Sequence, residues 1–153
     1  MSKRTRDEFT IDMFLGWTPP DVSVGFEPGA ISGDRLSSRI SRAIAKALKD
    51  CDIDRASVAA QMSEKLGHKI TKQMLEAYAS EAKTGNNITV ERFVALIHAT
   101  GKTELLGFLA DDFAMKVYPN KYANVVKLAL IEDHQKTVDY HKKTIIAKIR
   151  GAS

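Results

Sequence analysis

The stretch Ser57-Val58-Ala59-Ala60-Gln61-Met62-Ser63-Glu64-Lys65-Leu66-Gly67-His68-Lys69-Ile70-Thr71-Lys72-Gln73-Met74-Leu75-Glu76-Ala77-Tyr78 decides the fold. Its apolar residues recur at three and four, the period of a helix with one buried face. A helix is expected from about Asp54 through Val58, Ala59, Met62 and Leu66, with Gly67 as its left-handed stop. A second is expected from Thr71, a good N-cap preceded by Ile70, with Met74, Leu75, Tyr78 and Ala82 turned inward. Two short helices joined by a tight glycine-containing turn make a candidate helix-turn-helix, in which the second helix enters the DNA major groove. Thr71, Lys72, Gln73, Glu76, Ser80 and Lys83 then lie on its outer side and first turn. Gln73 could present its amide to adenine, and Lys72 and Lys83 could hold phosphates. The commonest such unit sets a small residue four positions before the turn glycine, whereas Ala59 and Ala60 lie eight and seven before Gly67. The first helix is therefore expected to be about a turn longer, or the turn wider. The alternative is two ordinary packed helices with a polar outer side.

Upstream, a helix is expected from Asp34, as N-cap, to about Asp50, with Leu36, Ile40, Ala43, Ile44, Ala47 and Leu48 buried. On its other side Arg35, Arg39, Arg42, Lys46 and Lys49 are separated by four, three, four and three, so they form one basic ridge. Such a ridge can follow phosphates beside a major-groove helix or can simply be a solvated face. Downstream, Thr89 can cap a helix with Val90, Phe93, Val94 and Ile97 on its apolar face, Ile88 stapled to Phe93 and Gly101 as its end. Thr103 can cap another that holds Leu105, Leu106, Phe108, Leu109 and Phe113. Pro119 breaks the chain before a long helical stretch, Lys121 to about Arg150. There Leu128, Ile131, Val138, Ile145 and Ile149 keep a three-and-four spacing, with Gln135 and Lys142 at two positions of the same seam. The preferred reading is oligomerisation through Leu128, Ile131, Val138 and Ile145; a tail folded back on its own domain is the alternative.

Residues 1–33 differ in kind, because Gly16, Pro19, Pro20, Gly25, Pro28, Gly29 and Gly33 punctuate a segment without a sustained helical period. The expected architecture is all-α: an extended arm over 1–33, a compact helical domain over 34–118 with the helix-turn-helix-like pair, and a long C-terminal helix over 119–153. The length of 153 residues, 44% hydrophobic and 27% charged, suits one globular domain with appendages. A net charge of +4 permits an acidic partner such as DNA without requiring one. No apolar run approaches the roughly 18 residues of a membrane span, and no secretory signal is legible, so a soluble, intracellular protein of the cytoplasm is expected. Cys51, the lone cysteine, excludes an internal disulfide and any cysteine-based zinc cluster.

Chemistry for catalysis is weak. His134 and His141 are seven residues apart, about 10 Å along a helix, too far to share one metal unaided. His68 and His98 are isolated, and no Gly-rich phosphate loop occurs. Asp111-Asp112 points its two carboxyls about 100° apart on a helix. Neither an enzyme, a metal nor a cofactor is expected.

In the arm, Thr10-Ile11-Asp12-Met13-Phe14, followed by Leu15 and Trp17, is similar to the short peptide with which many bacterial replication proteins dock on the sliding clamp, usually Gln-Leu-Ser/Asp-Leu-Phe. Asp12 and Phe14 match, Ile11 and Met13 are conservative, and Thr10 departs at the glutamine. Ile11, Met13, Phe14 and Trp17 are thus candidate partner-binding residues, although burial of Phe14 and Trp17 on the protein's own domain is the preferred reading. The stretch Ser57–Ser63 through Lys69–Glu81, and more loosely the Asp12-Met13-Phe14 arm and charged C-terminal helix, resembles small early-region proteins of Mu-like transposable phages and prophages. A looser likeness in layout is to phage regulators of the CII kind. These resemblances imply a sequence-specific DNA-binding regulator acting on double-stranded DNA in a bacterial host. The alternative is a phage protein that captures a host replication, transcription or defence protein through its body or arm.

Overall fold

The computed structural model describes residues 21–82, 85 and 87–151, and within them the chain is all-α, with a long C-terminal helix. Helices α1 (Leu36–Asp50), α2 (Arg55–Leu66), α3 (Lys72–Tyr78), α4 (Val90–Thr100) and α5 (Glu104–Asp111) form the body. A 3-10 turn, Asn120–Tyr122, then leads into α6, Ala123–Gly151.

Three helix starts and two helix ends carry capping chemistry. The Asp54 carboxylate accepts from the Ser57 N–H at 2.7 Å, and these bonds hold its pKa below the ordinary value. The Thr71 hydroxyl accepts from the Met74 N–H at 3.2 Å and that of Thr89 from the Arg92 N–H at 3.3 Å. Gly67 and Gly101 end α2 and α4 at φ 70° and 66°, the left-handed conformation that other residues adopt only with strain.

The core is fed by every body helix. Ala43, Ile44, Ala47 and Leu48 of α1 meet Val58, Ala59 and Met62 of α2, Leu75 and Tyr78 of α3, Phe93, Leu96 and Ile97 of α4, and Leu105 and Phe108 of α5. Helices α2 and α4 share the most extensive packing, and α3 packs against α2 and α1. Among the described residues no polar or charged side chain is buried.

The segment 21–33 is laid on this body. The Val24 N–H donates to the Val117 carbonyl at 2.7 Å, an isolated β-bridge, while Phe26 and Ile31 pack against the core. It crosses α5 at Gly107, where an added Cβ would sit 1.9 Å from the Val24 carbonyl oxygen. Only glycine lets the two backbones approach so closely.

Several expectations are corrected. Arg35, not Asp34, holds the cap position of α1 and makes no side-chain cap bond; Asp34 stands one residue outside, within the field of the Arg42 guanidinium. Leu36 opens α1 more than half exposed, and Ile40 is half-buried. Val90 and Val94 are exposed, because Phe93, Leu96 and Ile97 claim the packed face of α4 and leave the two valines, four apart, on its flank. Thr103 makes no side-chain cap bond, and Ala82 lies exposed beyond the end of α3. Phe113 is exposed because α5 stops at Asp111, where the stripe loses its helical geometry.

Candidate nucleic-acid interface

Between Leu66 and Lys72 the chain makes a five-residue connection, Gly67–Thr71, so the departure in spacing is met by a wide turn as well as a twelve-residue first helix. A serine fastens that turn. The Ser63 hydroxyl donates to the Ala59 carbonyl at 2.7 Å and accepts from the Ile70 N–H at 2.8 Å, while Ile70 buries its side chain in the core. With Ile70 pinned and Thr71 capping, the first turn of α3 has a fixed direction. Ser63 carries no signal in the helical period, because its partner on Ile70 exists only once the turn has formed.

Lys72 and Gln73 emerge from that first turn, both exposed. Glu76, one turn on, lies 3.8 Å from the Arg55 guanidinium and 3.9 Å from the Lys72 ammonium. One carboxylate thus sits between two cations at the junction of α2 and α3, leaving one net positive charge in the group. These pairs are exposed and contribute little to stability, so they orient Lys72 loosely. Thr71 is half-buried and spent on its cap, and Ser80 is half-buried beyond the helix end. The outer face therefore reduces to Lys72, Gln73 and Glu76, with Arg55 added by the structure. Lys83, and with it Ile11, Met13, Phe14 and Trp17, lies outside the described residues.

The basic ridge of α1 is real as a row but is largely engaged by carboxylates. The Arg39 guanidinium meets the Asp112 carboxylate at 2.6 Å and lies over the Phe108 ring, 5.6 Å from its centroid. The Arg42 guanidinium donates to Glu81 and to the Ser32 carbonyl, each at 2.6 Å; this pairing raises the arginine pKa and lowers that of Glu81. Lys46 is 2.9 Å from Asp50 on the same helix and holds that carboxyl below its usual range. Arg39 and Arg42 thereby tie α1 to the end of α5, to the segment before α1 and to the residues after α3. The acidic partners lie 73 and 39 residues away, so no local pattern announces them. Arg35 and Lys49 remain exposed at the two ends of the row.

The third candidate surface is α6. None of its 29 residues is buried. Leu128, Ile131 and Ile145 are each more than half exposed and Val138 is half-buried, so the structure places the spaced apolar residues on one helix and buries none of them fully. No helix among the described residues is long and apolar enough to cross a membrane. No protein-family model matches this chain, and searches of curated proteins and of solved structures found no match either.

Proposed function

We propose that the protein is a sequence-specific DNA-binding regulator, of the phage or prophage kind its sequence resembles, with α2 and α3 acting as a wide-turn helix-turn-helix. The observation that carries this reading is the pinned start of α3. Ser63 and Thr71 fix it, and Lys72 and Gln73 stand exposed at its outer side. A helix is about 10–12 Å across with its side chains, which a major groove roughly 12 Å wide admits, and the seven residues of α3 lay about 10 Å of length along it. In this arrangement Gln73 reads a base edge through its amide, and Lys72 and Arg55 contact phosphates to either side. Glu76 holds the two cations on either side of its carboxylate and accepts from a base amino group.

The experiment is selection from random duplexes, followed by affinity measurements on the enriched site across a salt series. Gln73→Ala should cost about 1–3 kcal/mol on the selected duplex and little on others, as expected for loss of a bidentate base contact. Lys72→Ala should weaken all duplexes alike and reduce the salt slope by about one. No enriched duplex, with retention of both variants unchanged, would move the function to capture of a host protein.

A further inference from the structure

The strongest unexplained feature is a long helix that has no extensive packing against any body helix and no buried residue. Its chief contact among the named elements is the 3-10 turn that precedes it, and no residue of α6 belongs to the core. Helices in water draw most of their stability from packing an apolar face, and α6 has such a face without a cover. What should cover it is stated by the charges beside the seam.

We propose that α6 pairs with α6 of a second copy of this chain, in parallel and in register. Taking Leu128 as position a of a heptad places Ile131, Val138 and Ile145 at d, with Gln135 and Lys142 at the following a positions. Lys127, His134, His141 and Lys148 then fall at g, and Glu132 and Asp139 fall at e. In a parallel pair each g residue faces the e residue five positions on in the other helix. Lys127 thus meets Glu132 of the second copy and His134 meets Asp139, each twice by symmetry. An antiparallel pair would set e against e and g against g, bringing the two acidic residues together and the basic ones together. One orientation alone sets Lys127 against Glu132 and gives Asp139 an imidazole that can donate to it.

The polar seam residues agree with this. In a parallel, in-register pair Gln135 faces Gln135 of the second copy, and an amide can donate to and accept from its twin. Lys142 faces Lys142, a repulsion eased by Asp139, whose carboxylate lies 4.0 Å from the Lys142 ammonium on the same helix. A polar residue at a sets register while weakening the assembly. The seam from Leu128 to Ile145 is only about 26 Å long. Reversible association in the micromolar range follows. The inference does not rest on DNA binding, since it concerns only the C-terminal helix.

The test uses the full chain in a Cys51→Ser background, so that an introduced cysteine is the only thiol. Asn124→Cys places it at d near the start of α6, and Tyr140→Cys places it at f, away from the seam. At about 10 µM under mild oxidation the Asn124→Cys chain should form a covalent dimer tens of times faster than the Tyr140→Cys chain, because pairing supplies an effective concentration near millimolar. Adding Ile131→Asp should abolish that advantage. Light scattering should show the unmodified chain as a dimer at tens of micromolar. A monomer there, or equal cross-linking at the two positions, overturns the proposal. Cross-linking between Asn124→Cys and Ile149→Cys chains, a d position against an a position, without Asn124→Cys self-linking, establishes an antiparallel pair and overturns the orientation.

Discussion

At Gly107 a single methyl group decides whether the chain before α1 can stay where it lies. The Cβ of an alanine would come within 1.9 Å of the Val24 carbonyl oxygen and 2.6 Å of the Gly25 Cα, and both atoms are backbone, which a rotamer change cannot move aside. Gly107→Ala should therefore destabilise the protein by about 1–3 kcal/mol in urea unfolding, the usual cost of overpacking. Its signature is local. The Val24 amide, bonded to the Val117 carbonyl, should lose hydrogen-exchange protection while the Leu96 amide in α4 keeps most of its own. Unchanged protection at Val24 would mean that α5 shifts instead. Nothing in the sequence around Gly107 points to this contact, because a helical run that contains one glycine reads the same whether or not another strand of chain crosses it. The caps are the opposite case. Asp54, Thr71 and Thr89 act on amides three residues away, so sequence spacing alone makes them legible.

At the scale of elements, the α2–α3 pair depends on how its wide turn is closed. Ser63→Ala removes the acceptor of the Ile70 N–H and leaves that amide half-buried without a partner, a loss worth about 1–3 kcal/mol. If the direction of α3 matters for DNA, the variant should lose affinity for the selected duplex while its helix content, read by circular dichroism below the melting transition, is preserved. Full affinity in a destabilised Ser63→Ala protein would show that α3 holds its course through Ile70 and Leu75 packing alone. The existence of α2 and α3 was legible because their apolar residues repeat at three and four and their ends carry Asp, Gly and Thr. The basic ridge on α1 was legible as a row for the same reason. Its engagement was not, since Arg39 and Arg42 find Asp112 and Glu81 only after α5 and the residues past α3 have packed beside α1.

Over the whole molecule, the body and α6 obey different rules. The body closes its core from five helices and from Phe26 and Ile31, and α6 contributes no buried residue to it. That separation makes the stability of the two parts independent to first order. Removing residues 120–153 should leave a folded body whose thermal midpoint differs from that of the full chain by less than about 5 °C, the shift expected from under 1 kcal/mol in a domain of roughly 100 residues. The full chain should show, besides that transition, an earlier loss of helical circular dichroism whose midpoint rises with protein concentration, because pairing binds only the folded α6. The truncated chain should lack that transition. Its body midpoint should also be insensitive to concentration. A truncated body that is unfolded at 25 °C would mean that α6 folds back to support the core. A full chain with one concentration-independent transition would leave α6 without a second copy to cover it. These outcomes separate the fate of α6 from the DNA reading, since α3 and its fixed first turn lie wholly within the part that remains.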